Sequence, residues 1–318
     1  MSQPSDTFDS YDAKGNREAL VNMIYRTKTE ETPFLSAISK ISTSNTLHEW
    51  QTDDLGSAGT NYVIEADEAT TDASVATTRL GNYCQILDKV ALVSGTQMNG
   101  MNPAGRGNEM DYQMAKRSLQ LRKDVELALL DNNAKVAGNA STAREMAGVP
   151  TWIKDAFDKN GATAPTGDGT DAWSGGTDIA LNEGRLKNVL QQAYTNGGTP
   201  NMIISNAFNR QIISSFAGNA TRVIDGKSDT LNTTYKIYAS EFGDLTVAPS
   251  RHCETNMVYV LDTDLWKFAV LRDFQINDLA RNGDYERKQL LIECTLEACN
   301  GKGNGIIVNV SASSVSAS

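Results

Sequence analysis

The sequence predicts an α+β fold organised around one long helix, and three observations carry that prediction. Residues 108–134, NEMDYQMAKRSLQLRKDVELALLDNNA, contain no Gly or Pro and are rich in strong helix formers. The stretches at 46–95 and from residue 236 onward alternate or are rich in β-forming residues. Between them, residues 178–216 switch to a helix, strand, helix pattern.

At 1.5 Å per residue the long stretch spans roughly 40 Å. Asn108 can cap its start, and Asp111 three residues on completes a capping-box-like pair. Met110, Met114, Leu121, Val125 and Ala128 recur at helical spacing and form one apolar stripe. Tyr112, Leu119, Leu127 and Leu130 form a weaker stripe on nearly the opposite side, interrupted by Lys116 and Lys123. The periodicity fits a core helix of an enzyme or a spine with material on both sides.

A length of 318 residues allows one large or two medium domains. Apolar content of 40% and charged content of 21% describe a soluble globular chain. The formal net charge of -10 argues against a sequence-independent grip on nucleic acid, which needs clustered Lys and Arg. No run approaches the roughly 18 apolar residues of a membrane span. The N-terminus has no apolar signal core and carries Asp6, Asp9 and Asp12, so the protein is expected to stay in the cytosol where it is made. Four cysteines, scattered from Cys84 to Cys299, fit reduced, packed thiols better than a disulfide framework.

In chain order, residues 1–45 read as an arm, with short helical patterns at 17–25 and 33–41 and little core-forming material. Residues 46–95 read as a projecting flap of two or three strands. Its last run, NYCQILDKVALVS, puts Cys84, Ile86, Val90 and Leu92 on one strand face, with Asp88 among them. After the helix, KNGATAPTGDGTDAWSGGTD is loop-like, with five Gly and one Pro in 20 residues. A helix over 182–195 turns Leu186, Val189, Leu190 and Ala193 inward and stops at Asn196-Gly197. MIIS at 202–205 reads as a buried strand and 206–216 as a further helix. Residues 217–235 form a polar excursion. Strands follow at KIYAS, LTVAPS, MVYVLD, LWKFAVL, FQINDLA, ERKQLLIECTLEAC and GIIVNV, and the tail SASSVSAS is low-complexity.

The chemical inventory is thin, and no catalytic, cofactor-binding or metal-binding residues are assigned. Asp168, Asp171 and Asp178 raise a calcium loop, but the spacing lacks the EF-hand pattern and its terminal Glu, and a solvated loop is the better reading. His252-Cys253-Glu254 are consecutive and read as a surface bend. Cys294 and Cys299 are five strand positions apart and face opposite sides. GKGNG at 301–305 runs into a strand rather than a helix, so it reads as a hairpin turn and not a dinucleotide loop. Glu293 and Glu297 share a strand face, as carboxylates on solvated sheets commonly do.

Several stretches, in order, carry a resemblance: TFDSYDAKGNREAL, TPFLSAI, HEWQTDDL with EADEAT after it, NYCQIL, AREMAGVP after the long helix, and the C-terminal DTDLWKFAVLRDFQINDLARNGDYERKQLLIECTLEACNGKGNGI. With them the chain resembles, over nearly its whole length, the major capsid proteins of tailed bacteriophages, which use the Hong Kong 97-type shell fold. The resemblance implies an N-terminal arm (1–45), an extended β flap or E-loop (46–95) and a peripheral domain (96–145) holding the spine helix. An axial domain (146–258) and a return to the peripheral β region and tail (259–318) complete it. It implies a virion protein, assembled in the host cytoplasm as pentamers and hexamers of an icosahedral or elongated shell. Implied partners are a separate scaffolding protein, a portal and decoration proteins. The shell would enclose double-stranded DNA without sequence-specific binding, and the acidic charge fits a lining that does not hold the genome during packaging. Candidate subunit contacts are the flap aromatics Trp50, Tyr62 and Tyr83, with local packing inside the flap as the alternative for each. Trp152, Trp173 and Trp266 are expected in core or loop packing.

Two rival readings remain: a cytosolic enzyme with a small-molecule pocket in residues 178–260, and another virion component such as a decoration or tail-tube subunit. On the capsid reading, deleting residues 46–95 is expected to leave a folded protein that no longer closes into shells, as seen by electron microscopy.

Overall fold

The computed structural model describes residues 31–56, 58–66, 68, 74–99, 107–216 and 237–311. The helical pattern at 17–25, the excursion at 217–235 and the tail beyond residue 311 lie outside the described residues. In chain order come α1 (Pro33–Ala37), β1 (Ser39–Ser42), β2 (Leu47–Thr52), β3 (Thr78–Tyr83), β4 (Gln85–Ser94), α2 (Gly95–Asn99) and the long α3 (Glu109–Leu130). They are followed by β5 (Ala156–Asp158), α4 (Glu183–Thr195), β6 (Met202–Ser205), α5 (Ala207–Ser214), β7 (Ile237–Ser240), β8 (Gly243–Pro249) and β9 (Met257–Leu261). Two long strands, β10 (Trp266–Asp278) and β11 (Tyr285–Ala298), and the short β12 (Gly305–Val308) complete the set.

Asn108 caps α3 as its sequence position suggests: its backbone is extended and its side chain accepts from the Met110 amide at 2.9 Å. Glu109 and Asp111 add negative charge to the first turn, where the helix dipole favours it. The helix stops four residues before the expected end. The run Asp131-Asn132-Asn133 turns its side chains to the loops instead: Asn132 exchanges both its amide groups with the Trp173 backbone. The Tyr259 hydroxyl donates to the Leu130 carbonyl at 2.8 Å, satisfying one of the free acceptors of the last turn. A Cβ at Gly148 would lie 1.9 Å from the Asp131 carbonyl oxygen, so this close approach requires glycine. The first apolar stripe is buried at Met110, Met114, Leu121 and Val125. The second stripe is not covered in the same way. Leu130 is buried, Tyr112 and Leu119 are half-buried, and Leu127 is exposed.

Two sheets flank this helix region. The first has four strands in the order β1-β10-β11-β4, with β1 parallel to β10 and the other pairs antiparallel. LWKFAVL and FQINDLA, read as two strands, form one strand, β10, with register shifts between Val270 and Gln275. Helix α3 packs on this sheet, and Leu121, Val125 and Leu129 share a core with Ala91, Val93, Leu290 and Ile292. The second sheet has six strands in the order β5-β12-β9-β6-β8-β7. Its central strands β6 and β9 are buried along their whole length, as a strand covered on both faces must be. Ile203, Val258 and Val260 pack under α4 with Leu186, Val189 and Leu190. Ile204, Tyr259 and Leu261 face the other way, into the core that holds α3.

The flap differs from its expected form. Only β2 and β3 pair as a separate two-stranded hairpin. β4 leaves it at Cys84 and pairs with β11, burying Ala91 and Val93 and leaving Ile86, Val90 and Leu92 exposed. The cause is the partner: β11 offers a long backbone edge, and Tyr285 to Cys294 pair with β4 in unbroken register. Deleting 46–95 would therefore remove a strand of the first sheet, and the expectation of a folded remainder is withdrawn. The GKGNG segment is not a hairpin turn either. It crosses from β11 in the first sheet to β12 in the second, where Gly198 and Gly303 approach so closely that a Cβ on Gly198 would lie 2.2 Å from the Gly303 carbonyl oxygen.

Leu121→Ala should destabilise the unassembled subunit by about 2–5 kcal/mol in urea unfolding. Leu127→Ala, on the uncovered stripe, should change it by no more than about 0.5 kcal/mol.

Candidate assembly site at the flap root

The flap hairpin runs in register from Leu47 opposite Tyr83 to Thr52 opposite Thr78. Four sets of contacts fix its root to the body. His48 on β2 places Nε2 2.6 Å from a Glu297 carboxylate oxygen on β11 and Nδ1 3.0 Å from the Thr43 hydroxyl. Lys267 on β10 binds the other Glu297 oxygen at 3.2 Å. The His48 hydrogen bond, with help from Cys299 and Lys267, pulls the Glu297 carboxyl down to about 2 despite its burial.

Asn82 on β3 is fully buried and uses its whole amide. Its nitrogen donates to the Ala147 and Leu296 carbonyls, and its oxygen accepts from the Ala147 and Tyr83 amides. One side chain thus joins the flap, β11 and the segment after α3. Lys135 donates to the Gly81 and Asp168 carbonyls at 2.7 Å each and lies over the Trp152 ring. Burial lowers its pKa, with the Asp168 charge opposing the shift. Trp50 stacks at a tilt on Trp152, with ring centroids 5.3 Å apart.

Beyond the root the flap changes character. Leu55, Tyr62, Val63, Ile64 and Val75 are all strongly exposed, Tyr62 at 90%. The three candidate contact aromatics thus sit in different settings. Trp50 is packed within its own subunit, Tyr83 is half-buried in β3, and Tyr62 stands in the open part of the flap. The Trp50 indole nitrogen is buried and finds no acceptor among the described residues. Exposed apolar surface recurs on the body, where Ile86 and Leu127 edge a groove of about 440 Å³ between β4 and α3. A second groove of about 350 Å³ lies at the flap root, lined by Thr43, His48, Trp50 and Arg79. Both lie outside residues 178–260.

Glu293 and Glu297 are not solvated, contrary to the sequence reading. Both are buried in β11, and Glu293 is held by Arg144 and Arg272. A strand that reads LLIECTLEA carries its carboxylates into the core, and that apolar context was the available signal. Asn82 and Lys135 left no such signal, because their partners are remote in sequence. In the Gly-rich loop, Asp168 and Asp171 both accept from Thr166, and Asp168 also from Thr170, which closes the loop on itself. Among the described residues no three His, Cys, Asp or Glu converge as metal ligands, all four cysteines are free thiols, and no helix is long and apolar enough to cross a membrane.

A root tied down by several partners, bearing an exposed apolar flap, suits contact between copies better than chemistry. The family model described as SU10 major capsid protein matches residues 5–311. The chain belongs to that family. It is 27% identical to the major capsid protein of Escherichia phage Phieco32, over 96% of this chain and 97% of the relative. Among solved structures, the cyanophage A-1(L) capsid asymmetric unit superposes with a TM-score of 0.66 at 14% identity, covering 95% of this chain and 98% of the other. One chain of the structure of the phage G major capsid and decoration proteins matches with a TM-score of 0.52 at 11% identity, covering 98% of this chain and 100% of the other. The fold is the Hong Kong 97-type capsid fold, and the protein is a structural subunit of a phage head shell, found in the virion.

The depressed Glu297 carboxyl sets a pH window. Its folded pKa lies below the ordinary 4.5, so its stabilisation is complete above 4.5 and is lost as pH falls from there towards about 2. Glu297→Gln should lower the melting temperature at pH 7 and flatten the acid side of the melting curve, measured by circular dichroism from pH 7 to pH 2.5.

Proposed function

We propose that this capsid subunit closes its shell by laying its flap and N-terminal arm across neighbouring copies in pentamers and hexamers. The observation that carries this reading is the contrast along the flap. Its root is tied down by His48, Asn82 and Lys135, while Leu55, Tyr62, Val63, Ile64 and Val75 are left in water. A monomer gains nothing from that exposure, whereas a second copy that covers it gains about 25 cal/mol for each Å² buried. Tyr62 is the strongest of the three aromatic contact candidates, since Trp50 already stacks on Trp152 and Tyr83 is half-buried in β3. The exposed Ile86, Val90, Leu92 and Leu127 are further surface that a neighbour can cover.

In this reading the peripheral domain comprises β1, β4, α3, β10 and β11. The axial domain, expected over 146–258, holds α4, α5 and β5 to β8 and meets its copies around the capsomer axes; its sheet also takes in β9, which crosses that boundary, and β12 from the returning segment 259–318. The shell assembles in the host cytoplasm with a separate scaffolding protein and a portal, and the likeness to the phage G structure supports a decoration protein on its outside. It encloses double-stranded DNA without specific contacts, in keeping with the net charge of -10. It performs no catalysis: the buried carboxylates Glu293 and Glu297 are each held by cations and serve the fold.

Replacing residues 55–75 with a short Gly-Ser linker keeps β2, β3 and β4 and removes only the open flap. The variant should melt within a few degrees of the wild type yet yield open sheets or free capsomers instead of shells in electron micrographs of phage lysates. Normal closed shells would refute the role given to the flap.

A further inference from the structure

Helix α1 is held to the body by an interaction with the spine helix. Pro33 has no N–H, and Thr32 makes no side-chain cap, so the first free donors of α1 are the Phe34 and Leu35 amides. Both donate to Glu126 on α3: Phe34 to Oε1 at 3.0 Å and Leu35 to Oε2 at 2.8 Å. Glu126 has no exposed surface, and burial raises its pKa while the two amides pull the other way. Its charge is one of the influences that raise the pKa of the buried Cys253 thiol, burial being the largest. Phe34 is also wholly buried, edge-on to Trp266 at 6.2 Å. Four residues on, β1 locks into parallel register with β10, Ser39 opposite Lys267.

We propose that Glu126 is a positioning residue for assembly: its buried carboxylate holds the Phe34 and Leu35 amides on the spine helix and so fixes the point from which the arm leaves the subunit. The dependence is mutual. A buried carboxylate is costly without donors, and these two amides supply one to each of its oxygens. Spine helix and arm base are thereby linked through one side chain across 92 positions of sequence. The residues upstream of α1 start from a set place beside Trp266, which limits the neighbours they reach. This proposal rests on the reading that the arm lies across adjacent copies.

Glu126→Gln keeps the size of the side chain but offers one acceptor oxygen in place of two, and turns an NH2 group towards the second amide. Two measurements test it in the full-length chain. Hydrogen exchange on the unassembled subunit should be about tenfold or more faster at Phe34 and Leu35, with β10 and β11 protected as in the wild type. Phage lysates carrying the variant should contain several-fold fewer closed shells by electron microscopy. Unchanged exchange at Phe34 and Leu35 would overturn the latch. Loss of protection throughout β10 and β11 would also overturn it, by making Glu126 a general core residue. A truncation lacking residues 1–30 separates the two readings. If the truncation closes shells normally, the arm reading fails whatever Glu126 does. If it is defective while Glu126→Gln releases its amides and still closes shells, the arm reading stands and the positioning role is refuted.

Discussion

Strand β11 carries two carboxylates into the core, and the flap root, the segment after the spine helix and β10 each supply partners that hold them. Glu293 lies between Arg144 and Arg272, and Glu297 between His48 and Lys267. An unpaired carboxylate at either position would be strongly destabilising, because the surrounding protein cannot solvate it as water does. The partners of the two carboxylates come from three separate parts of the chain: His48 from the flap root, Arg144 from the segment after the spine helix, and Lys267 and Arg272 from β10. Each pair therefore fixes the direction of an element as well as neutralising a charge. Ion pairs of this kind add little net stability over an apolar core, but they leave few alternative arrangements.

From this follows a division between stiff and open parts. Around β11 the flap root is held by hydrogen bonds that use every group of Asn82, and the tandem of Trp50 and Trp152 closes the space beside it. Past Thr52 the anchoring thins, and the apolar side chains point to solvent. The spine helix repeats the pattern on a smaller scale, with Leu121 and Val125 buried and Leu127 left uncovered. A shell subunit needs both properties. The body must present the same surfaces in every copy, and the contacts between copies must be made by groups that a lone subunit does not bury.

Several parts of this were legible in the sequence because their causes are local. The 3.6-residue spacing of Met110, Met114, Leu121 and Val125 reads as the buried face of α3, and Asn108 caps it. MIIS reads as a buried strand, and Asn196-Gly197 ends α4 with Gly197 at φ +85°. The candidate contacts were less legible. Trp50, Tyr62 and Tyr83 look alike as flap aromatics, yet one is stacked on Trp152 and another stands free. Sequence spacing does not distinguish them, because the difference is made by a residue 102 positions further on, Trp152.

The sequence by itself determined the long helix, its cap, the short helices of the six-stranded sheet and, through the order of its resembling segments, the family. Each of these depends on residues close together or on the order of many short stretches. The tertiary structure alone decided that β4 leaves the flap for β11, that β12 crosses to the second sheet, and that Glu126, Glu293 and Glu297 are buried. A strand takes its sheet from the edge it meets, and a carboxylate tolerates burial only when donors arrive from elsewhere in the chain. Both conditions are set by residues far apart in sequence.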